Sequence, residues 1–167
     1  MTPPGGDFER HFTATAYVVD RTETLLHWHQ GLRMWLPPSG HCEPNEDPVQ
    51  AALREAEEET GIAVRVIPPR ELLRCDGVQG VRVIPPPEVI LIEDIERDDQ
   101  PFHQHIDHVY FTRPAGVRAP AAPDGWCWVA RGQLGAPFSL PAPDGSLIRV
   151  AEDVRLLGLR AIDAATE

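Results

Sequence analysis

Cysteine is scarce in this chain, with only Cys42, Cys75 and Cys127 among 167 residues. So small and odd a set excludes a disulfide-stapled scaffold and points to a reducing, cytoplasmic compartment. Basic residues are also outnumbered, 15 Lys and Arg against 26 Asp and Glu, for a formal charge of −11. A nucleic-acid surface needs clustered cations to displace counterions from phosphates, so no nucleic-acid partner is expected. An anionic ligand would be held through bound cations and a few local Arg or His residues, not through a general field. No apolar run approaches the roughly 18–20 residues of a membrane-spanning helix, and the Pro- and Gly-rich start does not read as a secretory leader. Internal repeats are missing. The expectation is one domain over residues 1–167, with 1–9 as a loose extension and an oligomeric state that the sequence leaves open.

What the chain does have is extended patterning around one strong helix. Residues 11–20 alternate Phe12, Ala14, Ala16 and Val18 on one side, as a strand does. Residues 24–29 read as its hairpin partner and 34–37 as a third short extended piece. Residues 62–67 are strand-like until Pro68-Pro69 stops them, and 88–93 read as a strand after Pro85-Pro86-Pro87. Residues 93–104 are polar and read as a connection. Residues 105–113 look extended again, 114–125 form a Pro/Ala/Gly loop, and 126–130 suggest a short strand. Leu147, Val150, Ala151, Val154 and Leu157 fall at helical spacing and predict a C-terminal amphipathic helix. Together these predict an α/β fold, a mixed sheet with helices packed on its faces.

The strong helix runs over residues 48–60, about 13 residues or roughly 20 Å. Asp47 suits the N-cap, Pro48 the first helical position and Gln50 the capping-box partner, while Gly61 supplies a left-handed stop. Val49, Ala52, Leu53, Ala56 and Thr60 share its apolar face. Glu55, Glu58 and Glu59, at i, i+3 and i+4, crowd their carboxylates into one patch. Such crowding opposes the helix unless a cation lies among the charges, and oxygen-only ligands suit Mg2+ or Mn2+. The bland alternative is a solvated acidic face.

The wider spacing decides between them. Gly40, Glu46, Arg54, Glu55, Glu58, Glu59, Gly61 and Ile62 fall in the register G-x5-E-x7-R-E-U-x-E-E-x-G-U, with U a bulky aliphatic. In that register the segment resembles the signature of the Nudix hydrolase family. Ala56 is small for a U position, Pro37-Pro38-Ser39-Gly40 replaces the usual Pro-Gly-Gly entry, and Asn45 replaces a glycine. No carboxylate is lost. The resemblance, which extends over about residues 11–157 with Trp128 and Leu134 as weaker echoes, implies a Nudix-type α/β/α sandwich whose box forms a loop-helix-loop. It further implies hydrolysis of a nucleoside diphosphate linked to another moiety, by water attack on phosphorus with a divalent metal. Glu58 and Glu59 match the family's paired metal ligands, and Glu55 matches a glutamate that binds metal or acts as base in different members. Gly40 matches the glycine whose carbonyl reaches the metal. Arg54 is expected to pair with Glu46 or Glu58 and hold the loop, its plain alternative being a surface pair with Glu58. The expected catalytic set is therefore Arg54, Glu55, Glu58 and Glu59, with Gly40 as a further metal ligand, Glu46 and Gly61 as structural residues, and the general base left open.

Outside the box, His103, His105 and Asp107 would share one face of a strand, and all three can bind metal or phosphate. His105 and Asp107 are taken as substrate-binding residues, a hydrogen-bonding role within the sheet being the alternative. Trp28, Trp35 and Trp126 can each stack on a base or fill the core, and Trp35, just before the box, is best placed to stack. Arg33, Arg74 and Arg82 are candidates for phosphate. Cys42 has no evident His partner and no nucleophilic role. The substrate class is a nucleoside triphosphate, nucleotide sugar or dinucleotide. The proline past the box typical of ADP-ribose pyrophosphatases and the tyrosine of dinucleoside polyphosphate hydrolases are missing, and Gly77 and Val78 stand in that region. The longer motif of NADH pyrophosphatases is absent as well. A non-catalytic Nudix-type module that binds a nucleotide and regulates a partner would be marked by lost box carboxylates, and an isoprenoid diphosphate isomerase by further Cys and Glu motifs. Neither mark is present. The reading is a Mg2+-dependent cytoplasmic pyrophosphohydrolase whose partner is a small-molecule nucleotide.

Overall fold

Strand β1 (Glu9–Asp20) carries two alternating faces, and over residues 13–19 both are covered. The computed structural model describes residues 7–68, 75, 78–97, 100–116 and 121–166. Chain order continues with β2 (Glu23–His29), β3 (Met34–Leu36), β4 (Ser39–His41), helix α1 (Pro48–Thr60) and β5 (Val64–Val66). It then runs through β6 (Val89–Arg97), β7 (Gln100–Pro114), β8 (Trp126–Ala130), the single turn α2 (Arg131–Leu134), β9 (Ser139–Pro141), β10 (Leu147–Arg149) and α3 (Glu152–Thr166).

Strands β1 and β7 run parallel from Glu9 opposite His103 to Val18 opposite Thr112. The other pairings are antiparallel: β2 and β4 on the free side of β1, β5 and β6 on the free side of β7, β3 and β8 on β2. On one face Ala14, Ala16 and Val18 pack with Tyr110 against Ala51, Ala52 and Ala56 of α1. On the other, Tyr17, Val19, Val109 and Phe111 pack against Val154, Ala161 and Ile162 of α3. The result is a mixed sheet with helices on its faces, as the periodicities predict, in the α/β/α sandwich that the resemblance implies. Ala56 is fully buried, so the small residue at this box position lies within the packed face.

The helix α1 ends where capping chemistry places its ends. The Gln50 amide donates to the Asp47 carboxylate, the Asp47 amide donates to the Gln50 side chain, both at 3.0 Å, and Gly61 closes the helix at φ 68° with its N–H donating to the Glu57 carbonyl.

Three expectations need correcting. Residues 93–104 are not a connection: β6 extends to Arg97 and β7 starts at Gln100, pairing Glu93 with His105 and Ile95 with His103. Here ladder hydrogen bonds override a polar composition, because alternate side chains need only one apolar face. The C-terminal helix starts at Glu152, later than Leu147, because Leu147–Arg149 folds back on Ser139–Pro141 as a hairpin. Glu9 already belongs to β1, held by β7, whereas residues 1–6 of the expected extension lie outside the described residues. Among the described residues no helix is long and apolar enough to cross a membrane.

Candidate active site

Arg54 fastens the box together. Its Nε and Nη2 donate to the two Glu46 carboxylate oxygens at 2.7 and 2.9 Å, the bidentate geometry in which a guanidinium binds most tightly. Nη1 donates to Glu55 at 2.7 Å and Glu58 at 3.1 Å, and Nη2 also reaches the His41 carbonyl at 3.1 Å. Glu46 and Glu58 are thus both partners, where sequence spacing left a choice. The Glu46 hydrogen bonds come first among those that raise the Arg54 pKa, and in return the Arg54 guanidinium holds Glu46 below the usual carboxylate range. Glu55 lies against the backbone of Gly40, where a Cβ would fall within its carboxylate.

Of the box glutamates, Glu59 is the one whose pKa is raised. Its pKa is pushed up to about 7, first by burial and then by the charges of Glu55 and Glu58, against a hydrogen bond from the Ser39 amide. Glu59, Gly40, His41 and Ser39 line a cavity of about 680 Å³ whose floor is the α3-side face of the sheet. That size falls in the ordinary range for small-ligand sites. From β1 come Thr13, Thr15 and Tyr17, from β7 His103, His105, Asp107 and Val109, and from β6 Leu91, Glu93 and Ile95. Thr13 donates to Asp107 at 3.0 Å. Burial raises the Asp107 pKa against hydrogen bonds from Thr15 and Thr13, and it pushes Glu93 up to about 7, with help from Asp107 and Asp153. The walls are rich in carboxylates, with Glu59, Glu93, Asp107 and Asp153 among the lining residues.

A NUDIX domain profile matches residues 9–150, most of the chain. The chain belongs to the Nudix family. The fold agrees: a hydrolase of the NUDIX family from Clostridium perfringens is 26% identical, with a TM-score of 0.70, over 95% of this chain and 99% of that one. The Ap4A hydrolase of C. elegans shares the fold at a TM-score of 0.51 and 18% identity, over 94% of this chain and 98% of the other. In sequence, the rat bis(5'-nucleosyl)-tetraphosphatase [asymmetrical] is 43% identical over 58 residues, which is 33% of this chain and 37% of the rat protein. Its pig counterpart is 53% identical over 38 residues, 23% of this chain and 26% of that protein. The chain thus spans well under half the length of these curated relatives.

Within the Nudix box, Gly40, Glu46, Arg54, Glu55 and Glu58 converge, and Glu59 joins them from the cavity side. His105 and Asp107 do share a face and line the cavity. Trp35 does not: it is buried at 8% exposure beside Trp28, so its ring is a core element and offers no open face for stacking. The pairing of β3 with β2 turns it inward, and neighbouring strands are invisible to a local reading. Arg82 donates to Asp47 at 2.7 Å, on the helix cap and not at the cavity, Arg33 pairs loosely with Asp144, and Arg74 lies outside the described residues. Burial raises the Cys42 thiol pKa, which favours the unreactive form. Sequence reasoning missed His11 and His41, which the sheet brings beside His103 and His105; the signal was that His11 shares the parity of Thr13, Thr15 and Tyr17.

His27, which lines the cavity, is expected to make the fold acid-sensitive. It stacks on Trp126 with ring centroids 4.2 Å apart, and its pKa is lowered to about 4, by burial first and then by His29. The folded value lies below the ordinary 6.5, so the stabilisation is present above about pH 6.5 and is lost as pH falls toward 4. His27→Phe, which keeps the stack and cannot titrate, should therefore melt higher relative to the native protein at pH 4.5 than at pH 8. A gap that stays constant with pH would refute this assignment.

Proposed function

We propose that this Nudix protein is a divalent-metal-dependent hydrolase of nucleoside polyphosphates, cleaving a phosphoanhydride by attack of water on phosphorus. The observation that carries it is the meeting of Glu55, Glu58 and Glu59 with Gly40: Arg54 holds Glu55 and Glu58, while Glu59 and Gly40 line a nucleotide-sized cavity. Hard oxygen donors fit Mg2+ or Mn2+, and burial followed by the charges of Glu55 and Glu58 raises the Glu59 pKa, a penalty that a bound cation would relieve. Glu55, Glu58, Glu59 and the Gly40 carbonyl would hold that ion. When bound, the metal supplies charge neutralisation on phosphate and acidifies water. Arg54 positions Glu46, Glu55 and Glu58 and spends its donors on them, so it acts through the ligands. One box carboxylate takes the proton of the attacking water. Asp107 and His105 border the phosphate chain from the sheet side.

The tetraphosphatase relatives make a dinucleoside tetraphosphate the first substrate to test, beside a nucleoside triphosphate and a nucleotide sugar. Incubation with and without Mg2+, with products resolved by chromatography, tests the reading. Turnover of at least one compound is expected to vanish with excess chelator and return with Mg2+ or Mn2+. Turnover that survives chelation would refute the metal-dependent mechanism, and nucleotide binding without any turnover would favour the non-catalytic module.

A further inference from the structure

We propose that His11, His103 and His105 form a second metal site, made for a borderline transition ion such as Zn2+ and separate from the box carboxylates. The sheet register assembles it. In the parallel pairing of β1 with β7, His11 stands opposite His105 and Glu9 opposite His103, which puts the three imidazoles on one face over adjacent rungs. One ring nitrogen of each lies within 4.8 Å of the others. The His11 ring is 5.1 Å from that of His103 and 6.2 Å from that of His105, and the last two are 5.2 Å apart.

The hydrogen bonds around the cluster set its chemistry. His103 Nδ1–H donates to the Pro101 carbonyl at 3.0 Å, which leaves the lone pair on Nε2. His11 Nε2–H donates to the Glu9 carboxylate at 3.2 Å, which leaves the lone pair on Nδ1. Carbonyl and carboxylate acceptors behind the ring are how metal-binding histidines are oriented. His105 Nε2 is buried, and among the described residues it has no hydrogen-bond partner. A buried nitrogen of this kind is costly unless a ligand uses it. His41 stands alongside, its Nε2 3.2 Å from His11 Nδ1 and its ring 5.0 Å from His105, as a contact that an incoming ion replaces or recruits.

Three neutral imidazoles with water in the fourth position are a tetrahedral set for Zn2+, and Co2+ or Cu2+ also favour nitrogen, whereas Mg2+ prefers oxygen. The chain thus offers two donor chemistries at one cavity: oxygen at the box, nitrogen where β1 pairs with β7. Because His103 and His105 line that cavity, a phosphate oxygen of a bound ligand can take the ion's fourth position.

The test is spectroscopic and does not depend on turnover. Metal-free protein is titrated with Co2+ at neutral pH, then with Zn2+, and the same is done with a Glu55→Gln/Glu58→Gln/Glu59→Gln variant. One equivalent of Co2+ should produce the intense visible bands of tetrahedral cobalt in both proteins, and Zn2+ should abolish them. His11→Ala and His103→Ala should each weaken Zn2+ binding by roughly tenfold or more. His11 is half-buried near the start of β1, so its variant remains informative if a His105 variant misfolds; circular dichroism verifies the fold. Absent cobalt bands, bands lost in the glutamate variant, or unchanged Zn2+ affinity in folded His11→Ala and His103→Ala would each overturn the site.

Discussion

Glu58→Gln and Glu59→Gln are each expected to lower turnover by about a hundredfold or more, while Glu57→Gln leaves it nearly unchanged. Three consecutive glutamates separate because a helix advances about 100° per residue. Relative to Glu55, Glu58 and Glu59 stay within about 60°, whereas Glu57 points to about 200°. The structure keeps that division. All three are exposed, but Glu58 accepts from Arg54 and Glu59 accepts from the Ser39 amide and lines the cavity, whereas Glu57 makes no side-chain hydrogen bond among the described residues. Glutamine preserves shape and removes one charge, so the loss would measure the charge that a metal and a developing phosphate transition state require. Stability should move the other way at Glu59: relieving repulsion from Glu55 and Glu58 leaves the metal-free variant melting no lower than the native protein. Steady-state rates and melting curves for the three variants decide the matter. Small, equal effects at all three would reduce the patch to a solvated acidic face.

How far the sequence foretold this site depends on the range of each interaction. Helix α1 was legible to the residue because Asp47, Pro48, Gln50 and Gly61 act within a few positions of one another. The carboxylate patch followed from helical geometry, and the shared face of His103, His105 and Asp107 from the two-residue period of a strand. Illegible features depend on register between distant segments. His11 meets His105 only because β1 and β7 pair in parallel across most of the chain, and Trp35 is buried only because β2 lies beside β3. The strand content of residues 93–104 was hidden for a related reason. Leu91, Glu93 and Ile95 face the cavity while Ile90 and Ile92 face outward and exposed, so neither face looks like a core in composition. A pair of long antiparallel strands gains its stability from the ladder, which local hydropathy does not record.

Gly40→Ala should also abolish most turnover, about a hundredfold, while changing the melting temperature by no more than a few degrees. Gly40 does not occupy left-handed backbone, and β4 pairs it with Ala14 in ordinary antiparallel register, so the main chain tolerates alanine. The constraint is the Glu55 carboxylate, which fills the space a methyl would take. Because that carboxylate ends a flexible side chain, it yields before the sheet does. In yielding it gives up its 2.7 Å bond to Arg54 and its place beside Glu58 and Glu59. The loss should therefore be one that Glu55 itself mediates, and a double-mutant cycle can show it. Gly40→Ala and Glu55→Ala should each be severe alone, and the double variant should be little worse than Glu55→Ala. The measurement is kcat/KM for the native protein and the three variants, with melting temperature as the control for folding. Additive losses would mean that Gly40 acts by a route independent of Glu55, and the close contact between them would then be incidental to catalysis.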